Sequence, residues 1–162
     1  MGYDTSQRSE EMAKHVSDFE GETDRAIAVL AGAYLDKLLA DLIIAYTKAN
    51  PDFVEQLIYR DLTTFSARID AVYSKKLGLQ LISKDEQHDL HVIRGIRNKF
   101  AHDFIGLEFD TPEISAECSK LRAARIDGDP GNARKQFIKA AVRIMIDITI
   151  ITQKKLEEVS NT

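Results

Sequence analysis

The sequence predicts an all-α fold, a helical bundle of four to five main helices in an up-down arrangement. Three observations predict it. Apolar residues recur in steps of three and four through most of the chain, which is the period of one helix face. Alternating apolar and polar runs, the mark of a half-buried strand, are essentially absent. Three prolines and eight glycines in 162 residues leave room for long uninterrupted helices.

Residues 1–20 are polar and are expected to be partly disordered or loosely helical. Residues 21–162 are expected to form a single helical bundle domain. A long helix should run from about Thr23 to Lys48, because Ile27, Leu30, Ala31, Tyr34, Leu35, Leu38, Leu39, Leu42, Ile43 and Tyr46 make one wide stripe. Asn50-Pro51 ends it, since the residue before proline disfavours helical backbone. A short helical piece is expected over Asp52–Ile58. Thr64 can cap a third helix with Phe65, Ile69, Val72 and Tyr73 on one face, and Gly78 has the look of its left-handed stop.

Ser83 and Glu86 have the spacing of a capping box and should open a fourth helix carrying Leu90, Ile93, Ile96, Phe100 and Phe104. Asp110-Thr111-Pro112-Glu113 is a helix start with proline at the first helical position, and a short helix to about Ala124 is expected. Asp127 to Gly131 reads as a loop. The last helix should run from about Asn132 to Glu158. Its Lys135, Lys139, Arg143 and Asp147 form a narrow polar stripe on an otherwise apolar segment. Such a helix lies at the bundle centre or in a subunit interface, which hints at a homo-oligomer.

The composition is that of a globular domain, 44% apolar and 30% charged. A net charge of −4 argues against a protein that coats nucleic acid nonspecifically. The charge is uneven, though. Ser119 to Arg143 holds seven basic and two acidic residues, either a solvated surface or a site for an anionic partner. The lone Cys118 excludes an internal disulfide and fits a reducing compartment. The N-terminal stretch has no apolar leader, and Ala26–Tyr46, the most apolar segment, is broken by Asp36, Lys37 and Asp41. A cytoplasmic location with no membrane contact is therefore expected.

The densest chemistry lies in Ile93–Phe104, IRGIRNKFAHDF. Arg97, Asn98 and His102 interrupt an apolar helical pattern, and polar groups near a core are costly unless paired. They are structural clamps or a site. Asn98 and His102, four apart, share a helix face, whereas Arg97 and His102 stand roughly 140° apart around the axis and converge only if the arginine reaches across or the helix ends near the histidine. Arginine, amide and histidine together suit phosphoryl chemistry on RNA: histidine moves a proton near neutral pH, and arginine stabilises charge on phosphate. As clamps, Asn98 and His102 would bond neighbouring helices, and Asp103 would pair with Arg97, Lys99 or His102. Glu22, Asp24 and Arg25 open the long helix, the acids suiting its dipole and the arginine an acid elsewhere. Asp36 and Asp41 are expected to face solvent or to bind Arg94 or Arg97. His88 and His91 have a spacing that metal ligands use, but two imidazoles do not complete a site, and no metal or cofactor is expected. No glycine-rich phosphate loop or nucleotide fingerprint is present.

The blocks ETDRAIAVLAGAYLDKLL (Glu22–Leu39), LISKDEQHDLHVIRGIRNKFAH (Leu81–His102) and FDTPEISAECSKL (Phe109–Leu121) resemble the mannitol operon repressor family. That resemblance implies an all-helical regulator that represses a sugar-alcohol operon, with Glu22, Asp24, Arg25, Arg94, Arg97, Asn98 and His102 in its shared blocks. Arg97-Asn98-x-x-x-His102 also resembles the Arg-x4–6-His signature of HEPN domains, which implies a metal-independent ribonuclease with RNA as partner. A direct DNA reader would need an exposed recognition helix after a tight turn. The helix after Gly78 begins Asp85-Glu86-Gln87-His88-Asp89, acidic where phosphates would approach. The expected function is therefore regulation through a protein partner rather than catalysis or direct DNA binding.

Overall fold

A computed structural model describes residues 5–49, 62–74, 79–103, 106–123 and 131–161. Among them every regular element is a helix: α1 (Thr5–Glu20), α2 (Asp24–Ala49), α3 (Phe65–Tyr73), α4 (Lys84–His102), α5 (Pro112–Cys118) and α6 (Ala133–Ser160). The all-α bundle is as the periodicity predicts. Residues 52–58, Gly78 and Phe104 lie outside the described residues.

Local chemistry starts the helices where the sequence places the starts. Thr23 Oγ1 accepts from Ala26 N at 3.2 Å at the head of α2. Thr64 accepts from Ala67 N ahead of α3. Both halves of the Ser83–Glu86 capping box are made, at 3.1 and 2.7 Å. Asn132 accepts from Lys135 N ahead of α6. Each such cap satisfies a backbone donor that the helix cannot, and contributes about 1 kcal/mol. Thr111 differs. Its hydroxyl accepts from Glu108 N in the preceding turn rather than capping α5, which starts on Pro112 alone.

Three boundaries depart from expectation. Thr5–Glu20, expected to be loose, form α1, because Val16 and Phe19, three apart, give that polar segment an apolar edge to lay on the core. Helix α3 ends at Tyr73, where Leu81 N reaches back to Val72 O at 2.8 Å and turns the chain early. Helix α5 stops at Cys118, well short of Ala124, in a turn closed by Leu121 N on Cys118 O.

Helix α2 packs chiefly against α6 and α4, α1 lies on α6, α3 bridges α4 and α2, and α5 covers α4 and α6. Directions follow from side-chain ties. Arg25 reaches the carbonyl of Asp103 and Gly32 abuts Arg97, so α2 and α4 are antiparallel. Asp24 meets Arg134 near their helix starts, and Lys155 stands over the Tyr46 ring near their ends, so α2 and α6 run parallel. The fully buried side chains among the described residues include Leu35, Leu39, Ile69, Ile93, Phe100, Ile114 and Phe137, from α2 to α6. Phe109, in the turn before α5, stacks between Phe100 and Phe137 at centroid distances of 5.2 and 5.0 Å. Burying such a ring stabilises by roughly 1.5–3 kcal/mol. Helix α6 owes its apolar circumference to a place at the bundle centre, touching α1, α2, α4 and α5.

Candidate functional site

The polar residues of α4 leave that helix on three sides. Arg97 is half-buried against α2. A β-carbon on Gly32 would fall 2.7 Å from Arg97 Cγ and 3.1 Å from its Cβ, so the arginine stem lies directly on the glycine backbone. The guanidinium then turns back along its own helix, and Arg97 Nη1 donates to Asn98 Oδ1 at 2.8 Å. His102 is exposed on the last turn of α4. Five residues of α-helix carry it roughly 140° from Arg97. Arg97 and Asn98 are thus brought together, and His102, four residues past Asn98 at the end of the helix, lies on the Asn98 face.

Arg94 sits one turn before Arg97. Its Nε is buried with no hydrogen-bond partner, the one such side-chain atom among the described residues. An orphaned buried donor costs about 1–3 kcal/mol. Asp36 and Asp41 bind neither of these arginines. Asp36 takes Arg68 of α3 at 2.6 Å, and Asp41 takes Lys37 at 2.6 Å, one turn away on α2. That carboxylate holds the Lys37 ammonium above the ordinary lysine range. Asp41 thus takes the solvent-facing alternative, while for Asp36 the expectation is corrected, its partner being Arg68. α3 lies nearer to Asp36 than the arginines of α4 do, and a same-helix partner is the shortest path for Asp41.

The Glu22, Asp24, Arg25 group is a junction. Asp24 Oδ2 accepts Phe109 N at 2.7 Å, and Oδ1 accepts the Arg134 guanidinium. Arg134 Nη2 also donates to the carbonyls of Glu20 at 3.0 Å and Glu22 at 2.7 Å. Arg25 donates to the Asp103 carbonyl beside His102. The backbone of Asp103, not its carboxylate, is therefore what the neighbouring helix uses. This set ties the heads of α2 and α6 to the tail of α4 and the Phe109 turn.

A second tie was hidden in the acidic start of α4. Asp89 is 1% exposed, and its two oxygens accept Arg122 N at 2.9 Å and Ala123 N at 2.8 Å. The signal was present: Asp89 lies in phase with Ile93, Ile96 and Phe100, so a carboxylate on the core stripe had to find donors. His88 reaches the Lys120 carbonyl and His91 reaches Asp70, so the two imidazoles serve different neighbours. Asp85 and Glu117 take Arg122 and Lys120, which spends part of the basic 119–143 segment on internal pairs. Lys99 pairs with Glu113, which holds its ammonium above the ordinary range. Burial pushes the Cys118 thiol up to about 12, so it is a protonated core side chain.

Among the surface clefts, two are lined by residues of these junctions. One of about 310 Å³ is lined by Asp85, Glu86, Asp89, Arg122, Arg143 and Asp147, and one of about 410 Å³ by Val16, Glu20, Arg134, Lys135, Ile138 and Lys139. Neither includes Arg97, Asn98 or His102. No helix among the described residues is long and apolar enough to cross a membrane. Compared with family models, curated proteins and solved structures, the chain matches none.

Proposed function

We propose that this chain is a non-enzymatic helical regulator that represses a sugar-alcohol operon through protein contacts, as its resemblance to the mannitol operon repressor family implies. One observation carries the non-enzymatic part. Three of the residues that look most like a site are occupied in holding helices and turns together: Arg97 on Gly32, Asp24 on Arg134 and Phe109, and Arg25 on Asp103. Contact through protein rather than DNA is supported by the internal pairing of Lys120, Arg122 and Arg134, because a cation already matched to a carboxylate has less to gain from a phosphate. Deleting the gene should raise transcripts of sugar-alcohol uptake genes, and crosslinking should recover a transcription-linked protein. Unchanged transcripts with no partner would overturn the reading. Salt-dependent retardation of operator DNA by the purified protein would overturn its protein-contact part.

A second reading is a HEPN-like ribonuclease. Two features support it: the Asn98 amide fixes the Arg97 guanidinium, and His102 is exposed. An acid–base group must come within about 3 Å of the proton it moves. Arg97 and His102 leave the helix axis roughly 140° apart, but the Arg97 guanidinium turns onto Asn98, which shares a face with His102, so RNA would have to bridge the two along that face. Metal-free incubation with transfer RNA tests this. Cleavage lost in folded Arg97→Ala and His102→Ala variants would replace the regulator reading with the ribonuclease, and intact RNA would remove the ribonuclease.

A further inference from the structure

Helix α2 packs against α6, α4 and α3, and part of its outward side stays exposed. That side carries Leu30, Tyr34 and Ile44, which are 52%, 42% and 43% exposed. Isolated apolar side chains on a surface are ordinary. These three are not isolated. At 100° per residue, positions 30, 34, 37, 41 and 44 fall within an arc of roughly 80°, one continuous strip down one helix. The other two members of the strip are Lys37 and Asp41, joined at 2.6 Å.

The order of these residues selects an occupant. About position 39 the part of the strip from Tyr34 to Ile44 is its own inverse: Tyr34 and Ile44 lie equally far to either side, and Lys37 and Asp41, of opposite sign, lie equally far inside them, with Leu30 beyond the symmetric part. A second α2 laid antiparallel across a two-fold axis at position 39 sets Tyr34 against the partner's Ile44 and Lys37 against the partner's Asp41, each twice. A parallel copy would set Lys37 on Lys37 instead. Self-complementarity of this kind is what an isologous contact requires. We propose that the outward face of α2 is the contact between two copies of this chain, paired antiparallel about position 39. It uses none of the residues of either functional reading.

The strip from Leu30 to Ile44 is about 21 Å long, and a helix is about 10 Å wide. The face is therefore on the order of 200 Å² per copy, well below the roughly 800 Å² per partner of a standard interface. A weak, concentration-dependent dimer is expected. Sedimentation of the full chain over three decades of concentration should show a monomer passing to a dimer. Both charges are at the surface, so Lys37→Asp and Asp41→Lys should leave helical content unchanged. Each single variant faces like charges and should stay monomeric. An equimolar mixture sets acids against bases again and should recover the dimer, as should the doubly swapped chain with itself. A wild-type monomer at every concentration overturns the proposal. So does a dimer indifferent to the swaps, which would lie on another face, and so does association lost in the single variants but not regained in the mixture.

Discussion

Replacing Gly32 by alanine asks whether Arg97 is a clamp. In an open helix that change stabilises by about 1 kcal/mol, because alanine has less backbone freedom to lose. Here the new methyl would stand 2.7 Å from Arg97 Cγ and 3.1 Å from its Cβ. Carbon atoms rest at about 3.5–4.0 Å, and these two belong to the rigid base of the side chain, not its free end. Something must give. Rotating Arg97 away breaks the 2.8 Å bond to Asn98, a loss of about 1 kcal/mol. Parting α2 from α4 disturbs a packed core, which costs roughly 1–3 kcal/mol. The cost outweighs the propensity gain, and G32A should be destabilised by about 1 kcal/mol. R97A alone should also destabilise. In the double variant Cγ is gone while the 3.1 Å contact persists, so relief is partial and the two losses should sum to at least ~1 kcal/mol more than the double variant shows. Urea denaturation of the four proteins at one concentration measures this. A G32A protein more stable than wild type, or strictly additive losses, would refute the clamp.

Two further outcomes follow from buried groups. Asp89→Ala leaves the Arg122 and Ala123 amides without an acceptor, and thermal or urea unfolding should show a loss of roughly 2–4 kcal/mol; a loss under 1 kcal/mol would mean the turn repairs itself. Cys118 should resist an aromatic disulfide reagent in the folded protein and react at once in denaturant; prompt native-state labelling would contradict its burial. Its thiol is held neutral in the fold with a pKa raised from 9.0 to about 12, so the unfolded chain loses that proton first as pH rises. Stability should therefore fall with pH between about 9 and 12, and less so in Cys118→Ala, as a denaturation series in both proteins would reveal.

What the sequence determined by itself was local. The helix starts at Thr23, Thr64, Ser83 and Asn132 are legible because a cap is completed within three residues of the capping side chain. The apolar stripes of α2, α4 and α6 are legible because a helix repeats its faces every few residues. The weak edge of α1 was not, since Val16 and Phe19 acquire meaning only when α6 is beside them. Tertiary structure alone decided the pairings. Asp24 meets Arg134 across 110 residues, Asp36 selects Arg68 over Arg94 and Arg97, and Gly32 is a glycine because an arginine stem crosses it. The same decision sends Arg97 into a helix contact while His102 stays in solvent, and leaves one strip of α2 without a neighbour. The physical reason is common to all of them. A periodic pattern says that a face must be covered and a charge must be matched, whereas the direction and adjacency of whole helices say by what.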